Sequence, residues 1–143
     1  MRTFYLFEVK QNILRNYKYN YEELYNMLES VYIKKTEDIL IAYNIFKSLV
    51  NQVNKDMFND YIKKRNIGSE NYICYNYTHS INDYYYDETT KLIINNSHIK
   101  IETNKNVPSF FRDLKNFDNL FVVDFENHDY FILNDVWSPC IKY

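Results

Sequence analysis

Residues 70–103 read ENYICYNYTHS, INDYYYDETT, KLIINN and SHIKIET, and this stretch decides the fold class. Its short runs are rich in aromatic and β-branched residues, which favour strands, and Asn, Asp and Ser stand where one run meets the next. Asn and Asp tolerate the tight turns for which most proteins use Gly, and this chain contains a single Gly. The stretch therefore predicts an antiparallel meander of short strands.

The residues before this stretch follow a different pattern. Residues 3–9, TFYLFEV, predict a buried first strand, because aromatic and β-branched side chains pack well on a pleated sheet. A short helix is expected over residues 11–18. A second helix begins after Asn20, whose side chain can cap it together with Glu23 three residues later. Its apolar face at helical spacing comprises Tyr21, Leu24, Tyr25, Leu28 and Val31.

A third helix carries the strongest periodic signal in the chain. Thr36 is the expected N-cap of this helix. The apolar stripe that follows comprises Ile39, Ala42, Tyr43, Phe46, Leu49, Val50 and Val53. Leu40 and two further isoleucines make this apolar surface wider than one core-facing side needs. A fourth helix is predicted over residues 55–66, and Gly68 follows it as a C-terminal stop.

The C-terminal part predicts one more helix and a hairpin. Pro108 suits the first turn of a helix that runs to about residue 117, because its fixed φ matches the helix. LFVVDF at residues 120–125 and DYFIL at residues 129–133 predict a hairpin that turns at residues 126–129. The chain is therefore expected to be a single α+β domain over residues 1–143. Its N-terminal strand and helices would pack on a mainly antiparallel sheet that ends in a β-hairpin.

The composition argues against several classes of function. The net charge of −2 and the pI of 5.9 provide no dense positive field for phosphates, so direct nucleic-acid binding is not expected. A single Gly leaves no room for a Gly-rich phosphate loop, and no apolar run reaches the roughly 18 residues that span a membrane. The N-terminus lacks the apolar core of a signal peptide, and two Cys without paired spacing fit a reducing compartment. We therefore expect a cytoplasmic monomer without a cofactor.

Few side chains are placed for metal binding or acid–base catalysis. Asp124, Glu126, His128 and Asp129 are close in sequence, and in principle they can bind a metal or hold a general base. A solvated polar hairpin turn is the favoured interpretation, because no second set of ligands has the right spacing. No metal site is therefore expected.

Cys74 and His79 form the one pair that suggests a nucleophile and its base. Because they are five residues apart across a strand end, they are expected to lie out of reach of each other. Cys74 is then a free buried thiol. The basic clusters at residues 34–35 and 63–65 are expected to be solvated helix ends. The sequence therefore favours a protein that acts by binding another protein over an enzyme.

The short first helix offers the clearest candidate for a protein-binding anchor. Ile13 and Tyr17 are four residues apart, which places them one above the other on a single helix face, and Lys10 precedes them. An aliphatic–aromatic pair beside a charge is typical of the centre of a small protein interface. The alternative is that this pair packs on the sheet. Periodicity alone leaves both possibilities open, because Leu14 is an equal candidate for the core-facing residue.

Both ends of the chain resemble one protein family. The opening YLFEVK at residues 5–10, followed by Ile13 and Tyr17, is similar to the start of the sporulation inhibitor of replication proteins (SirA). The close, LFVVDF at residues 120–125 followed by a Tyr and by LN at residues 133–134, is similar to their end. The family also shares the length, the helical first half and the terminal hairpin.

The resemblance implies a specific function and a specific surface. SirA proteins occur in endospore-forming Gram-positive bacteria, where they bind the N-terminal domain of the replication initiator DnaA and prevent its action at the origin. Their DnaA-facing surface is built from the first helix, part of the long helix and the end of the terminal hairpin. Carried over to this chain, that surface comprises Ile13, Tyr17, Leu40, Tyr43, Asn134 and Asp135.

Two of these positions depart from the family pattern. Ile13 stands where the family has an aromatic residue, and Asp135 stands where the family has a Pro after the Asn. Both changes fit either a co-adapted DnaA or a different target. The alternative function is therefore a protein-interaction module of the same fold that is directed at another cytoplasmic regulator.

Overall fold

A seven-stranded antiparallel sheet organises the computed structural model, which describes residues 1–32 and 39–136. The strands are β1 (Arg2–Glu8), β2 (Tyr72–Tyr75), β3 (Thr78–Asp83), β4 (Glu88–Ile94), β5 (Ile99–Thr103), β6 (Leu120–Asp124) and β7 (Asp129–Ile132). Their order across the sheet is β2-β3-β4-β5-β1-β6-β7. The predicted meander corresponds to β2–β5 and the predicted hairpin to β6–β7, so the α+β class is confirmed.

The helices before the meander and the helix directly after it are in the predicted order, whereas the short helix after β7 was not predicted. They are α1 (Gln11–Asn16), α2 (Tyr21–Tyr32), α3 (Ile39–Leu49), α4 (Lys55–Asn66), α5 (Phe110–Leu114) and α6 (Leu133–Val136). The bounds of α4 match the prediction, whereas α1 and α5 are shorter than predicted. The expected N-cap of α3, Thr36, lies outside the described residues. No helix in the described ranges is both long and apolar enough to cross a membrane.

The third helix ends before its predicted apolar stripe does. α3 stops at Leu49, because Val50 forms an isolated antiparallel bridge with Val9 directly after β1. The amide of Lys10 donates to the carbonyl of Leu49, and the amide of Asn51 donates to the carbonyl of Glu8. The residues after α3 therefore continue the hydrogen bonding of β1. This junction, formed by residues 8–10 and 49–51, fixes where α1 begins.

β1 is buried on both faces, and its side chains divide the core in two. Phe4 and Leu6 belong to a cluster with residues of α4 and α5, including Phe58 and Phe110. Phe7 and Val9 belong to a second cluster, whose other buried members are Leu14, Leu24, Tyr25, Leu28, Leu49, Val50, Phe121, Val123 and Ile132. Because this second cluster collects side chains from α1, α2 and α3, it positions all three helices.

Polar residues form the tight turns in this Gly-poor chain. Asn76, Asp87 and His128 have φ values of 54°, 51° and 52°, in the left-handed region that Gly usually occupies. Asn and Asp tolerate this region better than most residues, since their short side chains hydrogen-bond locally. Gly68, with a φ of 89°, follows α4 as its sequence position predicts.

Candidate protein-binding surface

The orientation of α1 is set by Leu14. This side chain is only 8% exposed and packs in the second core cluster, whereas Ile13 and Tyr17 are half-buried at its edge. α1 therefore directs Leu14 into the core and leaves the side chains of Ile13 and Tyr17 partly accessible. Leu14 is the core residue of this helix, which resolves the ambiguity that periodicity leaves.

Tyr17 is held in place by a contact to the following helix. Its hydroxyl lies 3.2 Å from the Sδ of Met27 on α2, with the hydroxyl as donor. Its amide donates to the carbonyl of Ile13, and its carbonyl accepts from the amide of Asn20 at 2.8 Å. Tyr17 therefore ends α1 with both its backbone and its ring fixed.

The start of α2 stands next to this pair. The side-chain amide of Asn20 donates to the carboxylate of Glu23 at 2.9 Å, and the amide of Glu23 donates to the carbonyl of Asn20 at 3.2 Å. The first of these bonds joins the two side chains, whereas the predicted cap has the Asn20 side chain accepting from a backbone amide of α2. The bond between the side chains orders the turn between α1 and α2. This turn fixes the distance between Tyr17 and Tyr21, the first residue of α2.

Tyr21 connects this region to the C-terminal end of the sheet. Its ring packs against Phe121, with ring centroids 5.9 Å apart, and it remains half-buried. Burial raises the pKa of Tyr21, and the negative charge of Asp135 raises it further. Asp135 is exposed. Helical spacing assigned Tyr21 to the core, and no sequence signal marks it as a neighbour of Asp135.

The two residues proposed at the hairpin end have different surroundings. The side-chain amide of Asn134 donates to the carbonyl of Lys115 at 2.8 Å, and Asn134 is half-buried. This bond ties α6 to the end of α5, so Asn134 holds the backbone in place beside Asp135. Of the two, Asp135 is the residue whose side chain lies at the surface.

On α3, the two carried-over residues point outward. Leu40 is 68% exposed and Tyr43 is 59% exposed, whereas Leu49 and Val50 at the other end are buried. Of the stripe's described side chains, Tyr43 is exposed, Ala42 and Phe46 are half-buried, and Leu49, Val50 and Val53 are buried. Tyr43 lies about 9 Å along the helix axis from Leu49, given a rise of about 1.5 Å per residue.

The Val9–Val50 bridge relates α1 to α3. Since α1 starts two residues after Val9 and α3 ends one residue before Val50, the two helices leave the same junction. The structure thus brings Ile13 and Tyr17 together, places Asp135 near Tyr21, and puts Tyr43 on a helix that shares the α1 junction. Leu14, Phe121 and Ile132 belong to one core cluster, whereas Leu133 of α6 packs in the other.

The prediction that Cys74 and His79 are out of reach of each other is wrong. The turn at Asn76 folds β3 directly onto β2, and the two residues become direct cross-strand partners. The Sγ of Cys74 lies 4.0 Å from the Nε2 of His79. A separation of five residues within a tight hairpin brings side chains together, in contrast to the same separation along one strand.

The surroundings of His79 nevertheless leave it unsuited to activate the thiol. Its Nε2 lies 2.7 Å from the Oδ1 of Asn59 and its Nδ1 lies 2.6 Å from the hydroxyl of Tyr72. Because the Asn59 oxygen is an acceptor, Nε2 carries the proton, and Nδ1 accepts from Tyr72. Burial lowers the pKa of His79 to about 4, and the charge of Lys63 lowers it further. The neutral ring thus has both nitrogens occupied.

Asp124, at the end of β6, is held by hydrogen bonds from neighbouring side chains. The buried carboxylate of Asp124 accepts from Arg2 Nε at 3.0 Å and from Asn127 Nδ2 at 2.7 Å. Burial alone would raise the pKa of Asp124, but the bonds from Asn127 and Arg2 lower it below its usual value. Within residues 1–32 and 39–136, no three His, Cys, Asp or Glu side chains are grouped to hold a metal ion.

Of the two basic clusters, one can be placed. Residues 34–35 lie outside the described ranges. At the end of α4, Lys63, Lys64 and Arg65 are exposed, and the Arg65 Nε lies 3.4 Å from the Asp113 Oδ1. The Arg65 guanidinium also lies 5.4 Å from the centre of the Tyr61 ring. This arrangement agrees with the interpretation of a largely solvated helix end.

Neither a scan against protein-family models nor a search of curated proteins returned a match to this chain.

Proposed function

We propose that this chain is an inhibitor of replication initiation that binds the N-terminal domain of DnaA in the cytoplasm and prevents its action at the origin during sporulation. The resemblance of both chain ends to SirA supplies the partner. The observation that carries the proposal is the placement of Ile13 and Tyr17 side by side, half-buried, on a helix anchored by Leu14. A partner that covers this pair completes its burial.

Pre-ordering makes this pair suited to binding. The ring of Tyr17 is held by Met27 and its backbone by bonds to Ile13 and Asn20. Immobilising a flexible side chain on binding costs about 0.5–1.5 kcal/mol, and a side chain that is already fixed avoids part of this cost. Tyr is also among the residue types that most often dominate the binding free energy of an interface. The pair is therefore the proposed centre of the interface.

The mechanism we propose is occlusion. A specific complex of standard size covers about 800 Å² on each partner. The proposed patch is centred on Tyr17 and includes Tyr21, Asp135 and Tyr43. Covering the corresponding surface of DnaA denies it to the other proteins that DnaA must contact at the origin. This action requires no catalytic residue, no cofactor and no contact with DNA.

Asp135 favours a second candidate function. It is exposed and negatively charged at the position where the family has a Pro, so the edge of the surface carries a charge in place of an apolar ring. Such a charge suits a partner with a basic residue opposite. The second candidate is therefore an interaction module that binds another cytoplasmic regulator through the same surface.

Titration against the isolated N-terminal domain of the cognate DnaA tests the proposal. The expected result is saturable binding, with amide chemical-shift changes confined to α1, the start of α2, α3 and α6. Failure to bind at concentrations on the order of 50 μM, with both domains folded, would falsify the proposal. A stable complex with a different regulator through the same residues would support the second candidate.

A further inference from the structure

A groove of about 700 Å³ lies between the end of α2 and the side of α3. Val31 and Tyr32 line it on the α2 side, and Ala42, Phe46 and Val50 line it on the α3 side. Pockets that bind small molecules usually have volumes of about 300–1,000 Å³ and mostly apolar walls. The groove meets both criteria.

The apolar walls of the groove are fixed by contacts behind them. The ring of Phe46 packs edge-on against Phe7, with centroids 5.7 Å apart. Val50 is 4% exposed. The hydroxyl of Tyr32 lies 3.3 Å from the Nε2 of His98, so the polar end of this ring is already bonded. The walls therefore need little rearrangement to receive an apolar group.

The charges at the groove have one sign. Among the described residues that line it, Lys10 and Lys47 are cationic and no carboxylate is present. The Lys47 ammonium lies 6.0 Å from the centre of the Tyr43 ring, a distance at which it remains available to an anion. Asn51, Asn96 and Ser97 add neutral polar groups to the lining. This local positive charge stands in contrast to the net charge of −2 of the whole chain.

From the apolar walls and the two ammonium groups, we propose that the groove binds a small amphipathic anion, with an aliphatic or aromatic body and one carboxylate. The body lies against Val31 and Phe46, and the carboxylate lies near Lys10 and Lys47. A cationic ligand of the same shape is repelled. This site is independent of the proposed DnaA binding, although Tyr43 borders both surfaces.

Two probes of equal chain length and opposite charge test whether the groove prefers an anion. Dodecanoate and dodecyltrimethylammonium are titrated separately into the full chain by isothermal calorimetry, below their micelle concentrations. Dodecanoate is expected to bind one site at least about tenfold more tightly than the cation, because two partly exposed ion pairs together favour the anion. Raising the salt concentration should narrow this difference.

Two variants test the location. Ala42→Leu fills the groove from α3 with a residue that favours helices, and it should abolish dodecanoate binding. Lys47→Gln keeps the apolar walls and should weaken dodecanoate binding several-fold, while binding of the cation should become tighter because one repelling charge is gone. Lys91→Gln, at an exposed position of β4, is the matched control and should change neither probe. If Ala42→Leu is not folded, the Lys10→Gln and Lys47→Gln double variant replaces it.

Four results would overturn the proposal. Equal affinity for both probes, or dodecanoate binding that survives both groove variants, indicates nonspecific adsorption. Binding only at millimolar dodecanoate shows that the groove is not a ligand site. Binding of an acidic amphipathic peptide at these residues, without dodecanoate binding, assigns the groove to a protein partner. DnaA binding is measured on the same variants, so the two proposals can fail separately.

Discussion

The hydroxyl of Tyr17 lies 3.2 Å from the sulfur of Met27, and this contact joins the end of α1 to the middle of α2. Between the two residues, the chain turns through Lys18, Tyr19 and Asn20. Tyr19 in this turn is 93% exposed, whereas Tyr17 is half-buried. Two Tyr residues only two positions apart therefore differ in packing, and this difference provides a direct test of the candidate surface.

Replacing Tyr17 by Ala should cost on the order of 2 kcal/mol of binding free energy to the DnaA domain, because it removes the proposed central aromatic contact. Tyr17→Phe should retain most of the binding, since the ring remains. Isothermal calorimetry measures both affinities, and circular dichroism verifies that each variant is folded.

Tyr19→Ala is the matched control, with the same chemical change two residues away, and it should bind as the unmodified chain does. If Tyr19→Ala and Tyr17→Ala weaken binding equally, Tyr17 is not a specific contact. If Tyr17→Ala unfolds the chain, its role belongs to the core.

Leu14→Ala should destabilise the fold by about 2–4 kcal/mol, because it removes a buried side chain and leaves a cavity in the second core cluster. Urea denaturation, monitored by far-UV circular dichroism, gives the change in the free energy of unfolding. Arg15→Ala, at the exposed neighbouring position of α1, is expected to change it by less than about 0.5 kcal/mol. Equal effects of the two variants would contradict the inward orientation of Leu14.

Acid should destabilise the fold through His79. The pKa of this residue in the folded chain is about 4, below the value of 6.5 for an ordinary His, because of its burial and the nearby Lys63. The unfolded chain therefore binds more protons between these pH values. The contribution of neutral His79 to the free energy of unfolding is complete above pH 6.5 and is lost as the pH falls towards 4. The total loss is about 3 kcal/mol.

The non-titrating variant His79→Gln isolates this contribution. Its free energy of unfolding should fall less steeply between pH 7 and pH 4.5 than that of the unmodified chain. Part of the slope should remain, because burial and the charge of Lys100 lower the pKa of His98 to about 4 as well. Parallel pH profiles of the variant and the unmodified chain would show that His79 titrates normally.

Arg2→Ala should cost about 2 kcal/mol of stability, because it removes a charged hydrogen bond to the buried carboxylate of Asp124. The guanidinium also lies 4.5 Å from the centre of the Phe4 ring, and that contact is lost with it. Thermal denaturation at pH 7 measures the loss. Lys91→Ala, a cation removed from an exposed strand position, should leave the melting temperature nearly unchanged.

Local sequence signals predicted those elements whose residues are neighbours in the chain. The predicted bounds of α4 are confirmed, with Gly68 after its end, and the structure adds the N-cap Asn54, whose side chain accepts from the amide of Met57. The meander follows from alternating strand and turn residues. The end of α3 could not be predicted in this way, since Val50 leaves the helical stripe to bridge Val9, about 40 positions earlier in the chain.

The same distinction applies to the candidate site. Ile13 and Tyr17 were identifiable because their spacing of four residues puts them on one helix face. That Leu14 is the inward residue depends on the core into which it packs. The proximity of Tyr21 to Asp135, and of Cys74 to His79, depends on turns and strand pairing that bring separate segments together.

The sequence by itself determined the α+β class, the antiparallel meander, the turns built on Asn and Asp, and the candidate pair on α1. These features rest on local preferences and short-range periodicity, which each segment carries on its own. Only the tertiary structure decided the strand order, the buried side of α1, the Cys74–His79 contact and the cationic groove between α2 and α3. Those features arise from contacts between segments that are distant in the chain, because packing of a shared core selects one arrangement among the many that local preferences allow.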